Sequence, residues 1–249
     1  GDWVSDNSKI ASATISGRTL KLKNIRDFTW RTSKDHDIKW IEEEYHLDDL
    51  IGLYYIVEYI HKFKALAHTM VTFEFKNDRF LTCSFEVRRK KGQKFHPWTG
   101  LWRSFTLIQI WATEHDLLWL RTNLRKNETY LFPCATLPEK REAMLLQLCN
   151  RTNQLADKPE FYHTLAKSCT TSLIREANIV TPGKIVPSGE IWAGNPARFL
   201  KKIDLESIKK FRQTAEKYIE FARAAKFGLK GKPYKFKLKS LPKLNLKKK

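Results

Sequence analysis

The sequence predicts an α+β protein, an antiparallel sheet with packed helices, followed by one left-handed β-helix-like coil and a C-terminal helix. Three observations predict it. Two runs, at 67–75 and 81–88, alternate apolar and polar residues on either side of a short polar turn, the pattern of paired half-buried strands. Pro138 opens a stretch to about 154 whose apolar residues fall at helical spacing. From Ile179 the period changes to six, which belongs to stacked-coil folds. At 42% apolar and 12% aromatic residues the chain can bury a core, which excludes general disorder.

In order along the chain, residues 18–28 alternate around Leu20, Leu22 and Ile25 and read as a strand. Residues 46–63 are apolar and aromatic at mixed spacing and fit a strand or a short helix. The hairpin follows, with Lys76-Asn77-Asp78-Arg79 at its turn. Matching the apolar faces sets Phe75 against Leu81, Phe73 against Cys83 and Val71 against Phe85, because a one-residue slip would expose one of them. That register puts His68 opposite Arg88 and makes Glu86 its diagonal neighbour on a polar face, roughly 6–8 Å away at Cβ. A strand at 104–112, a short helix near 114–121, a strand at 129–132 and the helix from Pro138 complete this part.

The four cysteines separate into types. Cys83 lies on the apolar hairpin face and Cys149 on the buried side of the 138–154 helix, where a thiol is a packing group. Cys134 carries no signal. Cys169 follows small polar residues and precedes Leu173-Ile174, at a predicted helix start. There it meets unpaired backbone N–H groups and the positive end of the helix dipole, and Lys167 adds charge nearby. All three favour the thiolate. His68, with a carboxylate beside it, is the candidate base and Glu86 the candidate orienter, the recurring arrangement of covalent acyl chemistry. His163, six residues before Cys169, is a second candidate base. Four cysteines in a chain this long make no disulfide framework, and no Cys/His spacing suits a metal, so no cofactor is expected. Gly1-Asp2-Trp3 does not read as a signal peptide, and no apolar run is long enough to span a bilayer.

The segments Ala67-His68-Thr69, Phe85-Glu86-Val87-Arg88-Arg89, Gly100-Leu101-Trp102-Arg103, Leu120-Arg121-Thr122-Asn123, and Pro159-Glu160-Phe161-Tyr162-His163-Thr164-Leu165 through Cys169-Thr170-Thr171 occur in order. Together they resemble the Lnb N-terminal periplasmic domain family over residues 1–178, and the order of His and late Cys resembles the permuted papain-like hydrolases and acyltransferases. The resemblance implies a permuted papain-like sheet, a periplasmic or cell-envelope location, and a lipid or lipoprotein substrate. By position it implies that Cys169 holds an acyl group as a thioester, that His68 moves the proton, and that Glu86 orients His68. It offers Arg88 and Arg121 for a phosphate or carboxylate of the lipid, although solvated ion-pair partners are the preferred reading for both. Ser168 and His163 stand where the family pattern has Asn, and Glu114-His115-Asp116 alters its acidic pair.

Residues 179–200 form the hexad coil, with Ile179, Ile185 and Ile191 six apart and turns at Pro182-Gly183, Pro187-Ser188-Gly189 and Gly194-Asn195-Pro196. Residues 201–228 read as an amphipathic helix capped by Asp204 and stopped at Gly228, and 229–249 as a basic tail. The stretch 179–226 resembles the end of a γ-class carbonic anhydrase. It has none of that family's zinc histidines, since the last histidine in the chain is His163, so carbonic anhydrase chemistry is not expected. Most of the net charge of +19 lies beyond residue 178. That segment would suit a β-helical protein partner or an anionic membrane surface, while a nucleic-acid partner is disfavoured because no recognition module is present. Two functions therefore compete. One is a thiol-dependent acyltransferase or hydrolase on lipid or lipoprotein acyl groups. The other is a non-enzymatic assembly subunit, including a chimeric one, that docks through its C-terminal segment.

Overall fold

The computed structural model describes residues 2–60, 67–94, 99–102, 104–164 and 166–181. The chain divides into two compact units, Gly1–Lys201 and Lys202–Lys249, and every described residue belongs to the first. The strands are β1 (Ser12–Ser16), β2 (Thr19–Arg26), β3 (Thr29–Trp30), β4 (His36–Asp37), β5 (Trp40–His46), β6 (Leu50–Tyr59), β7 (Ala67–Phe75), β8 (Arg79–Arg88), β9 (Thr106–Ala112) and β10 (Glu128–Pro133). The helices are α1 (Glu114–Trp119), α2 (Pro138–Asp157) and α3 (Cys169–Val180), and a π-helical turn, Leu120–Leu124, continues α1. The architecture is mixed α+β and mostly sheet. The main sheet runs β1-β2-β9-β8-β7-β6-β10, with β5 also paired to β2, while β3 and β4 pair apart. Its ladders are antiparallel except for a parallel contact of β2 with β9 at Arg26 and Ala112.

Residues 46–63 hold the long strand β6. Its mixed spacing has a physical cause: Leu50, Gly52, Leu53, Tyr54, Ile56 and Glu58 are all buried, so both faces are covered and alternation is lost. The aromatic and β-branched run Tyr54-Tyr55-Ile56-Val57 favours the extended form over a helix. One face of the sheet packs Phe73, Cys83, Phe85 and Trp111 against Leu145, Leu148 and Cys149 of α2 and Leu173 of α3. The other packs Ile56, Met70, Ile108 and Ile110 against Leu117 of α1. The second face is therefore also interior, and its hydroxyls are satisfied within it. Thr72 Oγ1 donates to Glu114 Oε1 at 2.9 Å, and Thr82 Oγ1 to Thr72 Oγ1 at 3.1 Å.

The hairpin forms, but its register lies two residues from the expected one. Phe75 pairs with Arg79, Phe73 with Leu81, Val71 with Cys83 and Met70 with Ser84. Asn77 and Asp78 both take left-handed backbone, with φ of 61° and 54°, which closes the connection in three residues. An even shift keeps every side chain on its face and changes only the partners. Pairing of β7 with β8 ends at Met70 and Ser84, whereas β7 stays on β6 as far as Ala67 and β8 on β9 as far as Arg88. The sheet thus opens between β7 and β8 beyond that pair.

Helix α3 begins where the sequence places it. Ser168 is its N-cap, accepting from the Thr171 N–H, while the Thr171 hydroxyl accepts from the Ser168 N–H. Ser168 therefore does a capping residue's work at the position where the family pattern has Asn. Ile179 and Val180, expected to begin the hexad coil, instead lie in the last turn of α3, where Val180 packs against the main core. The rest of that coil, the 201–228 helix and the 229–249 tail lie outside the described residues.

Candidate active site

Three elements converge at the opening between β7 and β8. His68 sits near the start of β7, Glu86 near the end of β8, and Cys169 is the first residue of α3. Both His68 and Glu86 are mostly shielded, with side chains 13% and 24% exposed, and Cys169 is partly buried. His68 Nε2 lies 2.8 Å from Ser84 Oγ and 3.2 Å from Glu86 Oε1. The Ser84 hydroxyl donates to the same Glu86 oxygen at 2.9 Å. The imidazole also meets the Cys169 sulfur through charge and a hydrogen bond.

The sulfur is held by its neighbours. The Thr69 backbone N–H and the Thr170 hydroxyl both hydrogen-bond it, the latter at 3.8 Å, and Thr69 Oγ1 donates to Thr170 Oγ1 at 3.2 Å. The Tyr55 and Tyr162 hydroxyls lie close enough for a thiolate to push their pKa values up, although burial is the larger cause for both. Tyr162 belongs to a segment laid directly on Gly100, where a Cβ would collide with the Thr164 hydroxyl and stand 3.1 Å from the Tyr162 ring. The Thr164 N–H donates to the Gly100 carbonyl at 3.2 Å.

The proton balance separates this thiol from the others. Burial pushes the Cys83 and Cys149 thiols far up, and Cys134 to about 11. Burial acts on Cys169 in the same sense, but the His68 charge and hydrogen bond, the Thr69 N–H and the Thr170 hydroxyl outweigh it and bring the thiol to about 7. Burial likewise opposes charge on His68, yet the Cys169 thiolate and Glu86 raise it to about 10. Glu86 is desolvated, but His68 and Arg121 hold it well below the usual carboxylate range. The two shifts share one cause, since the charge on each group favours ionisation of the other.

Arg88 and Arg121, expected to meet a lipid phosphate or carboxylate, are both turned inward. Arg88 is buried, donates to the Asn7 and Ser8 carbonyls at 2.9 Å each, and lies over the Trp3 ring at 4.2 Å. Arg121 is 3% exposed and bridges Glu58 and Glu86 at 2.8 and 2.6 Å. Each makes its hydrogen bonds within the fold. The Nδ1 of His163 accepts from the Ala166 N–H within its own segment at 3.2 Å. Sequence reasoning missed Ser84 and Glu58. The signal for both was positional, since each shares the face of His68 on a neighbouring strand. Among the described residues no group of His, Cys, Asp and Glu side chains is arranged to hold a metal ion, and no helix is long and apolar enough to cross a membrane.

Comparison with known proteins gives two signals. Over 52 residues the chain is 36% identical to mitochondrial γ carbonic anhydrase 2 of Arabidopsis thaliana and 40% identical to mitochondrial γ carbonic anhydrase 1 of the same plant. Those matches cover 21% of this chain, which spans about a fifth (19%) of the length of each relative. No solved structure matches the chain. The Lnb N-terminal periplasmic domain model, by contrast, matches residues 36–203, a span that contains His68, Glu86, Arg121 and Cys169. The chain belongs to the Lnb N-terminal periplasmic domain family, which places it in the periplasm or cell envelope.

Proposed function

We propose that this protein is a thiol-dependent acyltransferase or hydrolase that carries lipid or lipoprotein acyl groups as a thioester on Cys169. The observation behind this reading is the convergence of Cys169, the first residue of α3, on His68, whose Nε2 lies 3.2 Å from Glu86, with the thiol lowered to about 7 and the imidazole raised to about 10. A thiolate is the nucleophilic form of cysteine, and an imidazolium beside it is the acid that a leaving group needs. With Nε2 engaged by Ser84 and Glu86, Nδ1 is the ring nitrogen left for the sulfur.

In the first half-reaction the Cys169 thiolate attacks the ester carbonyl of an acyl donor. The S–C bond forms, the C–O bond breaks, and His68 gives its proton to the departing alkoxide. In the second, an amine or water attacks the thioester. His68 takes the proton of that nucleophile, the S–C bond breaks, and the thiolate returns. Glu86 holds the imidazole and balances its charge throughout. Aromatic side chains on the same face of the sheet would suit a lipid acyl group. Tyr55, Tyr59, Tyr130 and Phe132 share the face of the sheet on which Thr69 lies, with Tyr59 and Tyr130 at 5.7 Å and Tyr130 and Phe132 at 6.4 Å between ring centroids.

The test is to incubate the protein with phospholipid vesicles carrying a labelled acyl chain and to map the label by mass spectrometry. A hydroxylamine-sensitive adduct on Cys169, absent from Cys169→Ala, is the expected result. An unlabelled Cys169, together with undiminished turnover by Cys169→Ala, would overturn the reading.

A further inference from the structure

Glu58, His68 and Glu86 stand in a row across three adjacent strands. Glu58 and His68 are cross-strand partners on β6 and β7, and Glu86 on β8 lies 3.2 Å from the imidazole. Two carboxylates therefore flank one imidazole in a place largely closed to water. Left to themselves they would repel each other and oppose ionisation of a thiol beside them, because each added negative charge in a shielded site raises the cost of the next.

Arg121 lies across that row. Its Nε donates to Glu58 Oε2 at 2.8 Å and its Nη2 to Glu86 Oε1 at 2.6 Å, while Nη1 donates to the Leu117 carbonyl at 3.1 Å. The second Glu58 oxygen accepts from Asn127 Nδ2 at 2.6 Å. The guanidinium is delivered by the π-helical turn Leu120–Leu124, an irregularity often found where a helix must aim a functional side chain. The other charges that face the cluster are arranged differently. Arg26 of β2 is neutralised by Asp116 of α1 through two hydrogen bonds at 2.8 and 3.0 Å. Arg125, at the end of the π turn, feels Arg121, Glu58 and Glu86 only at longer range, and Tyr55 and Tyr162 remain neutral.

We propose that Arg121 and Glu58 are positioning residues that set the charge balance at the Cys169–His68 pair. Arg121 neutralises Glu58 and shares Glu86, so the imidazole meets one partly compensated carboxylate in place of two bare ones. The fork fixes where the Glu86 oxygen stands, and Glu58 with Asn127 fixes the fork. This assignment rests on the reading of Cys169 and His68 as the reacting pair.

The experiment is the rate of Cys169 alkylation by iodoacetamide across pH 5–10, in the full chain, for wild type, Arg121→Gln, Glu58→Gln and Arg121→Lys. Removing the positive charge moves the acid limb up by about one pH unit. Removing the Glu58 charge moves it down by a similar amount, and Arg121→Lys leaves it within a few tenths of wild type while slowing the rate as the fork is lost. Loss of packing alone would lower the melting temperature of all three without opposed shifts. A wild-type limb near 7 that neither Gln variant moves, or that both move the same way, overturns this assignment alone. A wild-type thiol that titrates as an ordinary cysteine overturns the reading of the site and this inference with it. Should Arg121→Gln fail to fold, Glu58→Gln decides: a downward shift sustains the assignment and an unmoved limb ends it.

Discussion

The His68 Nε2 and the Glu86 Oε1 lie 3.2 Å apart on neighbouring strands whose own pairing stops at Met70 and Ser84, just short of them. Side chains take over where the ladder ends. The charge that Glu86 brings to the imidazole opposes the desolvation that would otherwise neutralise it. Replacing Glu86 by Gln removes that charge but keeps a hydrogen-bonding oxygen. The alkaline limb of the pH–rate profile, which follows loss of the His68 proton near 10, then moves down by about one to two units. Turnover at its optimum falls by roughly ten- to a hundredfold. Steady-state rates over pH 5–11 check both, and an alkaline limb indifferent to the substitution would separate Glu86 from the imidazole.

Cys169 is the cysteine expected to react first. Its alkylation follows a thiolate midpoint near 7, whereas burial raises the Cys83 and Cys149 thiols far above that range and Cys134 to about 11. Limited iodoacetamide at neutral pH, followed by peptide mapping, should find the label on Cys169 well ahead of the rest. Equal labelling of Cys134 would show that exposure and not electrostatics governs reactivity here.

How far the site could be read from the sequence depends on which physical level each part belongs to. Alternation is local, so β7, β8, and the face on which His68 and Glu86 lie, were legible, as was the start of α3 at Cys169. Register depends on the backbone taken up by Asn77 and Asp78, which residue identity permits but does not dictate, and here the expected pairing missed by two residues. That error made Glu86 a diagonal neighbour of His68 where it is a direct contact. The burial of the polar face was equally hidden. Thr72, Thr82 and Ser84 look like solvent-facing residues until α1 and the π turn close over them. For the same reason Arg121 read as a solvated side chain open to an ion-pair partner or a substrate, whereas it is buried on Glu58 and Glu86, 63 and 35 positions away in the chain. Strands β1 and β5 were missed because they sit at the sheet margin. β5 carries Glu42, Glu43 and Glu44, two of which pair with Lys21 of β2, so charge hides its period.

Stability should report the same Cys169–His68 pair. The folded His68 holds its proton up to about 10 against 6.5 as its ordinary value, so its contribution is complete below about pH 6.5 and is lost as pH rises through about 10. Cys169, lowered to about 7 from 9, acts in the opposite sense. Its contribution is full above about pH 9 and is lost as pH falls through about 7. Between 7 and 9 the two slopes oppose, and the wild-type melting temperature is expected to be nearly flat, falling only as pH approaches 10. Cys169→Ala removes the compensating slope and, with the thiolate gone, also brings the His68 midpoint down from about 10, so its fall in stability should come at lower pH than that of the wild type. Parallel wild-type and Cys169→Ala curves from thermal melts at pH 6–10 would mean the thiol carries no charge in the folded protein.

Ser168 offers the sharpest separation of fold from chemistry. Its hydroxyl caps α3 and its N–H is held by Thr171, so it sets the first turn on which the sulfur rides. Ser168→Ala leaves an N-terminal N–H without its acceptor and should cost about 1 kcal/mol of stability. It should also loosen the sulfur, so that the acid limb of Cys169 alkylation rises from about 7 toward the ordinary thiol value. Ser168→Asn supplies an equally good cap and the residue found in the family pattern, and it should restore both quantities. Urea unfolding and the alkylation profile, measured on the same preparations, check the pair of expectations. Stability that drops in Ser168→Ala while the alkylation profile stays fixed would show that the cap holds the helix but does not tune the thiol.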